Sequence, residues 1–419
     1  MSDHRSILER NDPAIHAALL LEEQRQRDGV ELIPSENYTY PEVLELLGSV
    51  FTNKYSEGYP GRRYYGGQSN TDTIENLARE RACQVFRGEH ANVQSLSGSV
   101  MNQSVYLGLL EPDDGILAME LSHGGHLTHG APASHMGRLF NFERYKTLPD
   151  TGDIDYDHVR DMALKQKPKL LLCGYSSYPK DLDYARFKEI ADEVGALTMA
   201  DISHYGGLVA GNVMANPLDF GFDVITTTGH KSLRGPRSGL IICKQEHAKA
   251  IDSSVFPGMQ GGPHMNQVAA IAVTLLHAAS PEFAQYSQQV LDNAQAMVKA
   301  LLAHNVELIT GGTENHLLVF NSISSFGLDG REAQDLLDRV DITTNKQIIP
   351  DDPLPPFKGS GIRLGTPAAT TRGMTEKHME QIAGWIVHTL RNPGDDAVLD
   401  GIGEEVVNFC RQFPVPGLD

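Results

Sequence analysis

The sequence predicts an α/β protein: a large domain built on a parallel sheet with helices on both faces, followed by a smaller α+β domain. Three observations carry this. Short apolar runs at 169–173, 196–200, 224–228 and 239–243 read as buried strands. Between the first two, Phe187, Ile190, Ala191 and Val194 recur at helical spacing, and strand–helix–strand at such intervals implies parallel pairing. The 419 residues, at ~150 per domain, suggest two or three domains.

Three regions follow in order. Residues 1–52 form an N-terminal arm that opens with helical patterning (Ala17, Leu20, Leu21) and ends in an extended stretch around 31–38. Residues 53–280 form the large domain. Residues 281–419 form the small C-terminal domain, with a long helix around 291–302, strands near Leu308 and Leu318, and a helix capped by Asp329. Its last long helix carries Met379, Ile382, Ala383, Ile386, Val387 and Leu390 on one face.

Composition narrows the function. Hydrophobic residues make up 40% and charged residues 21% of the chain, ordinary for a folded protein. The formal charge of −19 repels phosphate backbones and argues against nucleic acid as a partner. Cys83, Cys173, Cys243 and Cys410 lie far apart with no C-x-x-C pair, which argues against a disulfide scaffold or a cysteine zinc site and fits the cytoplasm. The first twenty residues, with Asp3, His4, Arg5, Glu9, Arg10 and Asp12, read as neither signal nor transit peptide. The longest mostly apolar stretch, 268–279, is too short to span a bilayer.

Parallel sheets bind ligands beyond the carboxyl ends of their strands, and there the chain is polar: Gly174-Tyr-Ser-Ser, Asp201-Ile-Ser-His and Gly229-His-Lys-Ser. Lys231 is either a surface lysine in a basic turn with Arg234 and Arg237, or a desolvated amine freed for carbonyl chemistry. Asp201 either caps a loop or pairs with a cation such as a protonated pyridine nitrogen. Ser97-Gly-Ser before an apolar helix is an ordinary N-cap or a phosphate-holding turn. No Gly-Lys-Ser or Gly-Lys-Thr occurs, so a Walker A loop is excluded. His123, His126 and His129 in H-G-G-H-L-T-H suggest metal binding or a loop that a flat ring approaches; no H-E-x-x-H accompanies them, and no metal is expected. Tyr59-Pro-Gly-Arg-Arg-Tyr-Tyr-Gly-Gly is an oligomer contact or a substrate loop. Arg363 clamps a carboxylate or makes a structural ion pair. Together these groups suit pyridoxal phosphate acting on an amino acid.

The chain resembles the serine hydroxymethyltransferase family of fold-type I pyridoxal-phosphate enzymes over nearly its whole length. The resemblance is carried by Glu31-Leu-Ile-Pro-Ser-Glu-Asn, Asn53-Lys-Tyr-Ser-Glu-Gly-Tyr-Pro-Gly-Arg-Arg-Tyr-Tyr-Gly-Gly, His123-Gly-Gly-His-Leu-Thr-His-Gly, Thr228-Gly-His-Lys-Ser-Leu-Arg-Gly-Pro-Arg and Phe256-Pro-Gly-Met-Gln-Gly-Gly-Pro. It implies a mostly parallel seven-stranded sheet in the large domain. It implies that Lys231 joins the cofactor aldehyde, that Asp201 holds the pyridine nitrogen protonated and that His126 stacks on the ring. Ser97, Gly98 and Ser99, with Gly261 and Gly262 of a neighbouring subunit, would hold the phosphate. Ser176, His204 and His230 would line the cofactor. Arg363, helped by Ser35 and Tyr65, would grip the substrate carboxylate. Tyr55 and Glu57 would enter from the partner chain, Glu57 handling the proton of the substrate hydroxyl. A homo-oligomer, at least a dimer, is therefore expected, cleaving the Cα–Cβ bond of serine and passing one carbon to tetrahydrofolate held near Leu121, Gly125, Leu127 and Gln347.

The chain departs from the family pattern at several positions. Gly229 stands where a threonine is usual, Gly66-Gly-Gln-Ser replaces Gly-Gly-Cys-Glu, and Gln347 replaces an asparagine that reads the pterin. Loss of a side chain at 229 sets an alternative expectation: room for a substituent on Cα, hence a folate-independent α-methylserine aldolase. A catalytically silent regulatory member is a further alternative, against which Lys231, Asp201 and Arg363 are all present.

Overall fold

A computed structural model of the chain describes residues 4–419; Met1, Ser2 and Asp3 of the N-terminal arm lie outside the described residues. The large sheet has seven strands: β1 (His90–Ser95), β2 (Gly115–Met119), β3 (Asn141–Tyr145), β4 (Leu170–Gly174), β5 (Leu197–Asp201), β6 (Val224–Thr228) and β7 (Gly239–Cys243). Their order is β1-β7-β6-β5-β4-β2-β3. Only β7 runs antiparallel to its neighbours. The sheet is covered on both faces, as a parallel sheet requires. Ala78, Phe86, Phe187 and Leu275 pack on one side, and Met101, Val105, Tyr106 and Ile251 on the other.

The four apolar runs read from sequence are β4 to β7, displaced by at most one residue. Three further strands escaped that reading. The apolar run Ile116-Leu-Ala-Met is buried in β2, whereas β3 is the sheet edge and alternates polar and apolar residues. β1 is polar in composition yet buried throughout. Its His90 and Asn92 side chains both bond Asp252, which satisfies their polar atoms inside the protein.

The C-terminal part carries a three-stranded antiparallel sheet of β8 (Leu317–Asn321), β9 (Asn345–Gln347) and β10 (Gly361–Gly365), ordered β8-β10-β9. No strand forms at Leu308, which makes only an isolated bridge to Phe320 before a tight turn at Ile309–Gly311. Asp329 caps the helix Gly330–Arg339 through a reciprocal capping box with Glu332. The helix Glu376–Arg391 buries the six residues predicted for its inner face, but a further long helix, Asp396–Cys410, follows it.

The N-terminal arm meets the C-terminal part. Val30–Glu31 pairs in parallel with Ile342–Thr343, and Val30 and Leu32 join the apolar core of the C-terminal part. The helix Pro281–Ala303 contributes Phe283 and Val290 to the large core and Met297 and Leu301 to the smaller one. In the helix Pro13–Asp28 the apolar side does not enter a core: Ile15, Leu19, Leu20 and Leu21 are exposed. No helix among the described residues is long and apolar enough to cross a membrane.

Candidate active site

The site lies at the carboxyl ends of β4, β5 and β6. An enclosed pocket there is lined by Gly98, His126, Tyr175, Ser176, Asp201, Ser203, His204, Thr228 and Lys231. Each comes from a strand end or from the segment just after one, because parallel strands deliver their following loops to the same edge.

Asp201, the last residue of β5, is buried and fully engaged. Its Oδ1 accepts from the Ser203 N–H (3.0 Å) and Ser203 Oγ (2.5 Å). Its Oδ2 accepts from Asn102 Nδ2 (2.8 Å) and faces His129 Nε2 (3.2 Å). Burial alone pushes this carboxyl up, but the hydrogen bonds from His129 and Ser203 override it. The group is held below the usual carboxylate range. The tautomer of His129 follows from its partners. The His126 N–H donates to its Nδ1 (3.1 Å), so a neutral ring carries its proton on Nε2 and donates to Asp201.

Asn102, one turn into the helix Gly98–Leu109, is wholly buried. It donates to Thr128 Oγ1 and Asp201 Oδ2, both at 2.8 Å, and accepts from Thr226 Oγ1 at 2.8 Å. Thr128 in turn donates its N–H to His126 Nδ1 (3.2 Å). Burial, then the neighbouring His129, lowers the His126 pKa to about 4, so its ring is neutral at ordinary pH. His126, His129 and Asp201 place ligand-type atoms within 4.8 Å of one another, but hydrogen bonds inside the group account for that approach.

Lys231 sits three residues past β6. Burial lowers its amine to about 8, with Arg363 and Arg237 acting in the same direction and Asp201 opposing them. Its backbone carbonyl accepts from Asn37 Nδ2 (3.0 Å), and Asn37 also bonds Tyr286 (2.9 Å) and Thr371 (2.7 Å). The N-terminal segment therefore braces the lysine turn against the helices Pro281–Ala303 and Pro367–Thr371. His204 is buried with no partner for Nδ1, and its ring stacks on His316 at 5.7 Å. His230 also has an unpartnered Nδ1, and burial drops its pKa to about 3.

Ser97 caps the helix Gly98–Leu109 by accepting from the Val100 N–H at 3.4 Å, a long bond, and Ser99 is exposed. Ser97-Gly-Ser thus stands at a helix start, with Gly98 lining the pocket. Arg363, on β10, has no ion pair among the described residues. Its Nη1 donates to the Ser176 carbonyl (2.6 Å) and its Nε to Asn345 Oδ1 (3.1 Å). Burial pulls the guanidinium down to about 10. The loop holding Ser35 lies over the end of the same strand: the Gly365 N–H donates to the Leu32 carbonyl (2.7 Å), and Gly365 packs on Pro34.

The other candidates form a separate group. Tyr55 and Tyr65 hydroxyls each donate to Glu57 at 3.2 Å, on opposite carboxylate oxygens. Gly261 abuts Glu57, and Gly262 abuts the Tyr55 ring. Tyr55 is 58% exposed and Tyr65 48%. Among the described residues, no hydrogen bond or ring contact links this group to Lys231, Asp201 or Arg363 in the same protomer. Of the folate candidates, Leu121 opens the turn Leu121–His123, Gly125 packs on the Met119 carbonyl, Leu127 is exposed, and Gln347 lies on β9, donating to the Ile348 carbonyl (3.0 Å).

The room expected at Gly229 is absent. A Cβ there would overlap Ser238 Oγ and stand 2.8 Å from the Pro236 carbonyl oxygen. The hydroxyl of Ser238 fills the space that a side chain at 229 would take. Asn102, His129, Ser203 and Asn345 are site residues that the sequence reading missed or misassigned. His129 carried a signal, as the third histidine of H-G-G-H-L-T-H, and Ser203 lay in the polar segment Asp201-Ile-Ser-His without a role; Asn102 and Asn345 carried none.

These donors fit pyridoxal phosphate. The pocket holds a low-pKa amine, an ionised carboxylate suited to a cationic ring nitrogen, a neutral imidazole, and a buried His204 nitrogen that lacks a partner. The comparisons with known proteins agree. The family described as Serine hydroxymethyltransferase matches residues 8–386. The chain is 49% identical over 418 residues to the serine hydroxymethyltransferase of Acidobacterium capsulatum, covering 100% of this chain and 97% of that one. It is 49% identical over 417 residues to that of Desulfotalea psychrophila, with the same coverage. A match of this length, with the motif residues gathered at one edge of the sheet, shows that the chain belongs to the serine hydroxymethyltransferase family of pyridoxal-phosphate enzymes.

Proposed function

We infer that this protein cleaves the Cα–Cβ bond of serine to give glycine and transfers the released carbon to tetrahydrofolate. The observation that carries this is the convergence of the Lys231 amine, the ionised Asp201 and the pocket-lining His126 at the ends of β5 and β6, in a chain of this family. Pyridoxal phosphate, when bound, supplies an aldehyde and a ring that accepts the electron pair released as the carbon–carbon bond breaks.

The chain's own residues prepare that step. Lys231 offers an amine that burial lowers to about 8, far closer to neutrality than an ordinary lysine. Asp201, held ionised by His129, Asn102 and Ser203, keeps a proton on the pyridine nitrogen. Arg363, without an acidic partner, takes the amino-acid carboxylate. His126, neutral, presents a flat face to the ring. Ser97, Gly98 and Ser99 receive the phosphate at a helix start.

Glu57, Tyr55, Tyr65, Gly261 and Gly262 serve the site of a second copy. The exposure of Tyr55, Tyr65 and Gly261, and the group's lack of contact with Lys231 in the same protomer, support a dimer whose sites are shared. Leu121, Gly125, Leu127 and Gln347 hold the folate; glutamine at 347 retains the amide needed to read a pterin edge. Unpaired cysteines fit action in the cytoplasm.

The filled space at Gly229 favours serine over α-methylserine. The test is a product assay with L-serine and with α-methyl-L-serine, each with and without tetrahydrofolate. Folate-dependent glycine formation that far outpaces α-methylserine cleavage is the expected result. Alanine release from α-methylserine without folate, at the greater rate, would overturn the assignment.

A further inference from the structure

We propose that Asn345 is a positioning residue that sets the guanidinium of Arg363 for the amino-acid carboxylate, and that its being neutral is what the site requires. The inference rests on the proposed function and adds a residue to it.

Asn345 on β9 and Arg363 on β10 are paired directly across the antiparallel ladder. The contact is therefore fixed by sheet register rather than by a mobile loop. The orientation of the Asn345 amide is determined at both ends. Its Oδ1 faces Arg363 Nε, which can only donate (3.1 Å), and its Nδ2 faces the Lys346 carbonyl, which can only accept (2.9 Å). Arg363 is held from the other side by the Ser176 carbonyl, in the segment just beyond β4 (2.6 Å). Ser176 is fixed in turn by donating its N–H to the Gly124 carbonyl (2.7 Å).

A guanidinium has five N–H donors in a rigid plane. With Nε–H on the amide and one Nη1–H on the carbonyl, the N–H groups between the two terminal nitrogens remain for a carboxylate taken end-on. Both clamps are neutral oxygens, so they aim the fork without cancelling its charge. A carboxylate at 345 would make the same bond to Nε but would neutralise the cation and compete with the substrate.

The test uses the holoenzyme of wild type, Asn345→Asp and Asn345→Ala. Spectral titrations of the bound cofactor measure affinity for glycine and for ethanolamine, which is serine without its carboxylate. Asn345→Asp is expected to weaken glycine roughly ten- to a hundredfold while ethanolamine stays within about threefold. Asn345→Ala, which loses the bond but adds no charge, is expected to weaken glycine less. In turnover, the serine KM rises in the same order while kcat stays within about threefold. Equal losses for the two amines, or glycine affinity unchanged in Asn345→Asp, would overturn the role. The wild-type spectral response to glycine tests the proposed function separately, and the glycine-to-ethanolamine ratio across variants tests Asn345.

Discussion

Gly229 and Ser238 occupy complementary halves of one small space. The Ser238 hydroxyl, donating to the Pro236 carbonyl at 3.0 Å, stands where a side chain on residue 229 would point. The turn between them is closed by backbone bonds from Gly229 to the Ser238 carbonyl (3.3 Å) and from Gly235 to the Gly229 carbonyl (2.7 Å). It holds Lys231 in place. Overpacking of this kind costs about 1–3 kcal/mol. Gly229→Thr is expected to destabilise by that amount and to weaken cofactor retention. Adding Ser238→Gly is expected to recover more than ~1 kcal/mol, a coupling typical of residues in contact. Urea unfolding of the single and double variants measures it; strictly additive effects would show that the two side chains do not share the space.

Lys231 gives the cofactor-free protein a definite pH signature. Its amine titrates at about 8 when folded, against an ordinary 10.5. Between these values the unfolded chain binds the extra proton, so unfolding free energy rises with pH across that window, and below it the full penalty of burying the ammonium remains. Lys231→Met should remove this rise and be the more stable protein at neutral pH, read by denaturant unfolding of both proteins across the window. Cofactor uptake by wild type should accelerate as pH passes through about 8, because the neutral amine is the nucleophile.

How far the sequence discloses the site depends on the distance over which each contact acts. Asp201 and Lys231 are legible because each closes a recognisable apolar run at a strand end. Asn102 is not, because it lies inside an apolar helical stretch and its partner Asp201 is 99 positions away. His129 reads as a possible metal ligand until the Asp201 carboxylate is seen beside it. Polar β1 hides its burial because Asp252, from a distant helix, supplies its partners. The fold class is legible because each of β4 to β7 is a local apolar pattern, whereas β3 at the sheet edge shows only alternation.

Arg372 joins the end of the helix Pro13–Asp28 to that of Asp396–Cys410 without an acidic partner among its bonds. Buried at 4% exposure, it donates to the carbonyls of Gln26, Arg27, Gly29, Cys410 and Phe413. These carbonyls close the helices Pro13–Asp28 and Asp396–Cys410, so the cation meets the negative ends of both. Arg372→Met would leave several buried carbonyls unpaired, and a loss above ~3 kcal/mol is expected. Hydrogen exchange should show both helix ends opening first. A loss under ~1 kcal/mol would mean that water replaces the guanidinium at little cost.

If Glu57 serves the partner's site, two inactive proteins should restore one another. Lys231→Ala mixed with Glu57→Gln, unfolded together and refolded, would place one intact site in every mixed dimer. Random pairing then gives about a quarter of wild-type activity. No activity above the separate variants would mean that each site is built within one chain.

The central claim is that the amine of residue 231 joins the aldehyde of pyridoxal phosphate in the pocket beside Asp201. The most direct measurement is the absorbance spectrum of the purified protein with the cofactor added, for wild type and Lys231→Ala. A band near ~420 nm in wild type that is missing from the variant is the expected result. No such band in wild type, or the same stable band in both proteins, would contradict the account.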